Sequence, residues 1–133
     1  MTDEQREFLR AHRLCIVGYE RASGPPALSP VYYVMDGDDL IISTTKTRAK
    51  GKVFARETEV SLCVIGEQMP FPYVTVYGRG RIEEDGAADA MMRIGAVMSG
   101  NPVPESARPA VEERARTEQR VVLRVTPHGF AGR

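Results

Sequence analysis

A segment rich in hydroxyl and basic side chains, residues 43–52, contains the residue types best suited to binding chemistry. Its sequence is Ser-Thr-Thr-Lys-Thr-Arg-Ala-Lys-Gly-Lys, and no acidic residue follows before Glu57. The hydroxyls end a strand pattern and the basic residues begin a helix pattern. Backbone N–H groups at a helix start, hydroxyls and cations can together surround a phosphate. The segment therefore predicts a phosphate site built without a Walker glycine loop.

The same residues also fit a solvated basic face on a surface helix, and their spacing alone leaves both interpretations open. A helix that uses charge only for solubility usually carries Glu–Lys pairs three or four residues apart. No carboxylate balances the basic residues in this way. The missing counter-charge favours an external anion.

Composition narrows the classes of function. The chain has 18 basic and 18 acidic residues, so its net charge is zero and no overall field favours nucleic acid or an anionic membrane. The N-terminus lacks the order of a signal peptide, and no apolar run approaches membrane-spanning length. We expect a cytoplasmic protein with neither a nucleic-acid nor a membrane partner.

Other residues with chemical potential fit structural roles better. Cys15 and Cys63 lie inside apolar runs, which predicts buried, reduced thiols. His12 and His128 lack a second ligand at metal spacing, so we expect no metal site. The glycine pair at 78 and 80 lacks the third glycine of a dinucleotide fingerprint and favours a bulge or the close approach of a ring.

The elements that must position the basic segment belong to one domain, residues 1–133. Helices are predicted from Thr2, with a Gln5 capping box, to about His12, from about Thr45 to Glu57, over Ala87 to Met98 before Gly100, and from Pro109 to Glu118. Strands are predicted over Leu14–Tyr19, Ala27–Met35, Leu40–Thr44, Val60–Ile65, Tyr73–Glu83 and Arg120–Thr126. Pro30 indicates that the second strand is an edge or carries a bulge. Six mostly sequential antiparallel strands with inserted helices predict a closed or partly closed barrel. The predicted fold class is mainly β, with α+β content.

Residues 42–50, Ile-Ser-Thr-Thr-Lys-Thr-Arg-Ala-Lys, and the following Val-Ser-Leu-Cys-Val of residues 60–64 resemble the pyridoxamine 5′-phosphate oxidase-like split-barrel superfamily. Residues 28–33, 72–80 and 120–125 resemble its second, fifth and last strands. The Arg-Ala-Lys form resembles the F420-dependent flavin/deazaflavin oxidoreductase branch. The resemblance implies a six-stranded antiparallel split β-barrel of the FMN-binding type with peripheral helices, assembled as a homodimer whose cofactor sites lie at the interface.

The resemblance also implies roles for individual residues. Arg48 and Lys50 would bind the cofactor phosphate. Residues that would line the same pocket are Ser43, Thr44 and Thr45, and those that would approach the ring system are Ser29, Val31 and Tyr33. Pro72, Tyr73 and Tyr77 would either reach a cofactor bound mainly by the other subunit or only pack in the interface. One departure concerns Gly51-Lys52-Val53-Phe54, where many relatives have a basic residue followed by Asn-Leu.

Three functions follow as hypotheses. The first is an F420-dependent oxidoreductase that transfers a hydride between reduced coenzyme F420 and a small electrophilic organic substrate, with no obligatory catalytic side chain. The second is an FMN-binding oxidase or reductase of the same fold. The third is a non-catalytic carrier of F420 or flavin. Lys46, Lys52 and Arg56 are candidate contacts for a polyglutamate tail.

Overall fold

The computed structural model describes residues 1–133 and contains seven strands and four α-helices. The helices are α1 (Asp3–Ala11), α2 (Ala49–Val53), α3 (Ala87–Ser99) and α4 (Arg108–Thr117), the last preceded by a 3-10 turn at Glu105–Ala107. The strands are β1 (Leu14–Tyr19), β2 (Ala27–Tyr32), β3 (Val34–Asp36), β4 (Asp39–Thr45), β5 (Thr58–Ile65), β6 (Tyr73–Glu83) and β7 (Arg120–Gly132). None of the helices is both long and apolar enough to cross a membrane.

All seven strands form one antiparallel sheet in the order β2-β1-β5-β6-β7-β4-β3. Strands β2 and β4 contact each other although four strands separate them in this order, so the sheet curls round on itself. One core cluster takes side chains from β1, β4, β5, β6 and β7 and from α1 and α2. A shared core of this kind is what a barrel requires. The predicted mainly β split barrel with peripheral helices is confirmed.

The helices close the ends and one outer face of this sheet. Helix α1 begins with the predicted capping box, in which the Thr2 hydroxyl accepts from the Gln5 N–H and the Gln5 side chain accepts from the Thr2 N–H. Its Phe8 and Leu9 complete the barrel core. Helix α3 ends, as predicted, at Gly100 in the left-handed conformation and packs over β3, β4 and β7 through a second, smaller cluster.

The second predicted strand is wrong in one respect, because the chain changes its pairing partner at Tyr33. Strand β2 pairs with β1, whereas β3 pairs with β4. Between them the Tyr33 N–H bonds to the Arg13 carbonyl and its ring turns into the core. The prediction of six strands therefore becomes seven. Pro30 lies in β2 at the end of the sheet, which confirms the predicted edge strand.

Two other predicted boundaries are wrong. The helix predicted from about Thr45 to Glu57 is only the five-residue α2, because Thr45 still pairs with Arg120 in the sheet and Phe54 turns into the core. The last strand extends past Thr126 to Gly132, because the eleven-residue β6 offers it a partner along its length. A register shift between Tyr77 and Gly78 gives the predicted bulge, and the Phe54 ring lies against Gly80.

Candidate functional site

The second strand and the basic segment meet at the Lys50 side chain. Its Nζ donates to the Ser29 Oγ across 2.9 Å, although the two residues are 21 positions apart in the chain. Ser29 stands on β2 and Lys50 on α2, so this bond connects the edge strand to the short helix that follows β4. The structure thus brings together two of the residues that the resemblance placed at the cofactor.

The positive charges around Lys50 have no acidic partners in the chain. Arg48, Lys50, Lys52 and Arg56 form no ion pair, whereas eleven of the other basic residues do. Lys46 differs from these four because its Nζ pairs with Glu84 at 2.6 Å. We call Arg48, Lys50, Lys52 and Arg56 the free basic cluster. An unpaired group of like charges is attractive to an anion.

Burial and repulsion both act on the Lys50 ammonium. Partial burial lowers the pKa of Lys50, and the neighbouring Arg48 charge lowers it further. Both effects disfavour the charged form in the free protein. A bound phosphate would reverse both, because its charge would stabilise the ammonium and offset the repulsion from Arg48.

Gly51 allows α2 to lie against the end of β4. The residue is buried, and a Cβ at this position would stand 2.2 Å from the Thr45 carbonyl oxygen and 2.9 Å from the Lys46 Cα. Backbone atoms cannot give way as a flexible side chain can. At the place where this chain departs from the motif that it resembles, the backbone therefore leaves room for glycine alone.

The three hydroxyl residues of β4 do not share one surface. Ser43 is half-buried and its Oγ accepts from Arg120 at 3.4 Å, while Thr45 is buried with its Oγ1 3.3 Å from that of Thr47. Thr44 is also buried, on the opposite face of the strand, and its Oγ1 has no hydrogen-bond partner. A single phosphate could not contact all three, because successive strand residues point to opposite faces.

The three residues predicted to approach the ring system also differ in their positions. Ser29 and Val31 alternate onto the side of β2 that faces the core, where Val31 is half-buried against the main cluster. Tyr33 is fully buried, and its hydroxyl donates to the Leu9 carbonyl at 2.6 Å. The Tyr33 hydroxyl is therefore already satisfied within the chain, and its predicted approach to a ring stays a prediction.

Pro72 is half-buried in the loop before β6, and Tyr73 and Tyr77 lie on the outer face of that strand. Tyr73 is 46% exposed and Tyr77 is 42% exposed on β6, where the intervening Val74 and Val76 point into the core. Ser29 points toward the core side of the sheet and the two tyrosines point outward. Within one chain the two tyrosines therefore do not share a face with Ser29, the hydrogen-bond partner of Lys50.

The tyrosines belong to a larger surface that the predicted elements did not include. Apolar side chains from four adjacent strands lie on the convex side of the sheet, where all but the half-buried Ile16 are exposed, and we call this set the outer apolar face: Leu14, Ile16, Leu28, Ile65, Tyr73 and Tyr77. The signal was present in β1 and in the second half of β5, where nearly every residue is apolar. Strands covered on both faces have this pattern, whereas half-exposed strands alternate.

The free basic cluster is an open surface in the single chain. Two cavities of about 640 and 490 Å³ lie elsewhere, between α1 and the loop of residues 66–72. The uncompensated positive charge and the largest of these cavities are therefore at different places on the chain. An anion needs uncompensated positive charge, which the basic cluster offers, whereas the 490 Å³ cavity is bordered by Glu4, Glu7 and Glu67.

Comparison with known proteins agrees with this architecture. A family model described as pyridoxamine 5′-phosphate oxidase matches residues 1–132. A solved structure of a conserved hypothetical protein from Mycobacterium tuberculosis superposes with a TM-score of 0.83 at 18% identity, covering 99% of this chain and 84% of that chain. A protein described as an F420 reductase gives a TM-score of 0.75 at 22% identity, with 98% of each chain covered.

A third similar structure is the FAD-binding protein from Mycobacterium smegmatis, with a TM-score of 0.62 at 18% identity over 100% of this chain and 95% of that chain. A search of curated proteins finds no match. At these identities the structural likeness establishes the fold.

Proposed function

The chain belongs to the pyridoxamine 5′-phosphate oxidase family, and from that premise we propose that it is an F420-dependent oxidoreductase anchored to its cofactor by Arg48 and Lys50. The observation that carries the proposal is the contact between Lys50 and Ser29 beside the unpaired Arg48. It combines two cations with a neutral hydroxyl on a surface that lacks any carboxylate partner.

The residues fit a phosphate monoester by charge and by donor type. Arg48 can offer a planar fork of N–H donors and Lys50 a compact ammonium. The Ser29 hydroxyl, which now accepts from Lys50, can rotate to donate to a phosphate oxygen. Because α2 has only five residues, the binding energy would come from these side chains and not from the dipole of a long helix.

The choice of F420 over a flavin rests on two supports. The Arg48-Ala49-Lys50 form resembles the F420-dependent branch, and an F420 reductase shares the fold over 98% of both chains. The similar FAD-binding protein favours the second candidate, a flavin enzyme that uses the same anchor. Both cofactors carry phosphate, so the anchor alone does not distinguish them.

When bound, reduced F420 supplies a hydride for an electrophilic organic substrate. The chain's contribution is to hold the phosphate with Arg48 and Lys50 and to provide an apolar wall that excludes water from the ring. No side-chain acid or base is assigned, because no such pair stands beside the anchor.

A second copy of the chain would complete the site. Leu28 and Tyr77 stand in one row across β2, β1, β5 and β6, since Leu28 pairs with Gly18, Gly18 with Ser61 and Ser61 with Tyr77. Leu28 is 72% exposed. Burying such a row against its counterpart removes apolar surface from water, and a symmetric pair repeats every contact twice. We expect a homodimer in which Tyr73 and Tyr77 approach the partner's cofactor.

Direct binding tests the proposal. Purified protein is titrated by calorimetry with F420 and, separately, with FMN. We expect tighter binding of F420, weakened about 10- to 100-fold in Arg48→Ala and in Lys50→Ala by loss of a charge-assisted contact. Arg10→Ala is the matched control, because Arg10 is exposed on α1 and also unpaired; this variant should bind like the wild type.

Each alternative outcome has a definite meaning. Tighter binding of FMN would support the second hypothesis, a flavin oxidase or reductase. Failure to bind either cofactor would return the basic cluster to a solvated surface. Tight binding of reduced F420 without its oxidation by enones, quinones or nitro compounds would support the carrier hypothesis.

A further inference from the structure

A groove between the end of α1 and helix α3 has the features of a second binding site. Two cavities of about 440 and 400 Å³ have bordering residues in common there, and both volumes lie within the range of small-molecule pockets, roughly 300–1,000 Å³. We call them together the α1–α3 groove, which is bordered by residues 10–13, 33–35 and 100–102 and by Arg93, Ala96 and Val97 of α3. No residue of the free basic cluster or of the outer apolar face borders it. The groove therefore lies outside both the phosphate anchor and the surface that the proposed dimer buries.

The floor of the α1–α3 groove is apolar. Val34 and Met35 border it from β3, and Ala96 and Val97 border it from α3. Met35 packs against the main core cluster and Val97 against the second, so the groove lies between the two clusters. The apolar part of a ligand would gain van der Waals contacts there and would leave water.

The rim of the groove is basic. Apart from the free basic cluster, the lysine and arginine side chains without an ion pair are Arg10, Arg13 and Arg21, and the first two border this groove. No acidic residue borders either cavity. This distribution of charge favours an anion over a neutral or cationic ligand.

Asp38 is the carboxylate on which the Arg10 charge acts, and it is already bound by another arginine. The Arg6 guanidinium donates to both Asp38 carboxylate oxygens, at 2.8 and 3.1 Å. These hydrogen bonds are the main cause that lowers the pKa of Asp38, and the Arg10 charge contributes less. Arg10 therefore keeps a positive charge that an external anion can neutralise.

The other two arginines at the groove are held by the chain itself. Arg13 donates to two carbonyls at the end of α3, at 3.0 and 2.9 Å. Arg93 donates to the Met35 carbonyl at 2.6 Å and to the Asp36 carboxylate at 3.4 Å. Arg10 donates to no group of the chain, so its N–H fork is free. A single free fork of this kind matches the two oxygens of one carboxylate.

We propose that the α1–α3 groove binds a small organic monocarboxylate, with its carboxylate on the Arg10 guanidinium and its apolar body against Val34, Met35 and Val97. Aliphatic and aromatic acids share this chemistry. The site goes beyond the proposed function, because it requires neither the phosphate anchor nor a bound cofactor.

The test is a nuclear magnetic resonance titration of the full chain with octanoate and with 2-naphthoate, each compared with its neutral amide of nearly the same shape. We expect saturable shifts at residues around the groove. At least one acid should bind about tenfold more tightly than its amide, because charge strengthens the hydrogen bonds to Arg10. The acid that binds more tightly identifies the body as aliphatic or aromatic.

Arg10→Gln removes the charge and keeps a polar side chain. The preference for the acid should disappear in this variant, whereas both amides should bind as they do to the wild type. Arg21→Gln is the matched control, because Arg21 is also exposed and without an ion pair but does not border the groove. This control should keep the full preference.

A second variant tests the apolar floor independently of Arg10. Ala96 borders both cavities and is half-buried on α3. Ala96→Leu would fill part of the groove and should weaken binding of the acids and the amides about tenfold or more. Ala88→Leu introduces the same side chain at another half-buried position of α3, outside the groove, and should leave binding unchanged.

Four results would overturn the proposal. Two concern the wild type: no saturable binding of either acid, or equal affinity for each acid and its amide. The third is a preference for the acid that survives in Arg10→Gln or falls equally in Arg21→Gln, because the effect would then not belong to Arg10. The fourth is unchanged binding to a folded Ala96→Leu chain, which would place the ligand outside the groove.

Discussion

At the scale of single residues, Lys50 is the member of the basic segment that contacts a distant part of the chain, the edge strand β2. Its ammonium contacts Ser29, stands near another cation and has no carboxylate to balance it. The free protein therefore holds this charge at a cost, and an anion at the site would relieve it.

This cost makes the anchor sensitive to pH. The pKa of Lys50 lies below its ordinary value of 10.5, so the ammonium loses its proton at a lower pH than an exposed lysine does. We expect F420 affinity to be steady near neutral pH and to fall as pH rises through this lowered pKa. The free chain shows the opposite trend, because it gains stability over the window between that pKa and 10.5.

Lys50→Arg is the variant that checks this explanation. An arginine keeps its charge throughout the accessible range, so calorimetric titration at several alkaline pH values should show a flatter profile. An identical decline in the wild type and in this variant would rule out Lys50 as its source.

Gly51→Ala tests whether the close contact of α2 with β4 positions the anchor. The added methyl group would meet the Thr45 carbonyl, so either α2 moves or the strand end distorts. We expect a loss of about 1–3 kcal/mol of stability, typical of overpacking, together with weaker F420 binding. Gly37→Ala is a control for the loss of a glycine, since nothing lies within 4 Å of its Cβ position; its positive φ adds only a local backbone cost. Unchanged affinity in Gly51→Ala would show that α2 tolerates displacement.

Tyr33→Phe separates a core role from a cofactor role. The Tyr33 hydroxyl is buried and bonds to the Leu9 carbonyl, so its removal leaves that oxygen without this donor. Urea unfolding should show a loss of about 1–3 kcal/mol. Cofactor affinity should stay the same. A selective loss of affinity with normal stability would instead place Tyr33 at the ring.

At the scale of elements, α1 is held by its first turn. The reciprocal Thr2 and Gln5 hydrogen bonds fix the start of a helix that carries Phe8 and Leu9 into the core. Thr2→Ala should cost about 1 kcal/mol in chemical unfolding, whereas Thr2→Ser keeps a hydroxyl cap and should cost much less. Equal losses in both variants would assign the effect to the threonine methyl group.

At the scale of the whole molecule, the outer apolar face is a contiguous exposed apolar patch, and patches of this kind mark contact surfaces between protein chains. We expect analytical ultracentrifugation to show a dimer, weakened about tenfold or more by Leu28→Glu or Tyr77→Glu. Met98→Glu should not change it, since Met98 is an apolar residue on α3 that is 48% exposed, close to the 42% of Tyr77. F420 affinity should fall with dissociation, since in the proposed site the second copy supplies Tyr73 and Tyr77. A monomer with full affinity would contradict this prediction.

The sequence by itself determined the local elements and the anchor motif. Alternation, capping and turn residues act over a few positions, so β1, β6, α1 and the end of α3 were predictable, as was the grouping of Arg48 with Lys50. Only the tertiary structure decided the change of partner at Tyr33, the shortening of α2 and the contact of Lys50 with Ser29. These depend on which strands become neighbours when the sheet curls round its core, and no local pattern encodes that choice. The opposite directions of Ser43 and Thr44 follow from strand alternation alone, whereas the closure of the sheet round its core decided that Thr44 is the more deeply buried of the two.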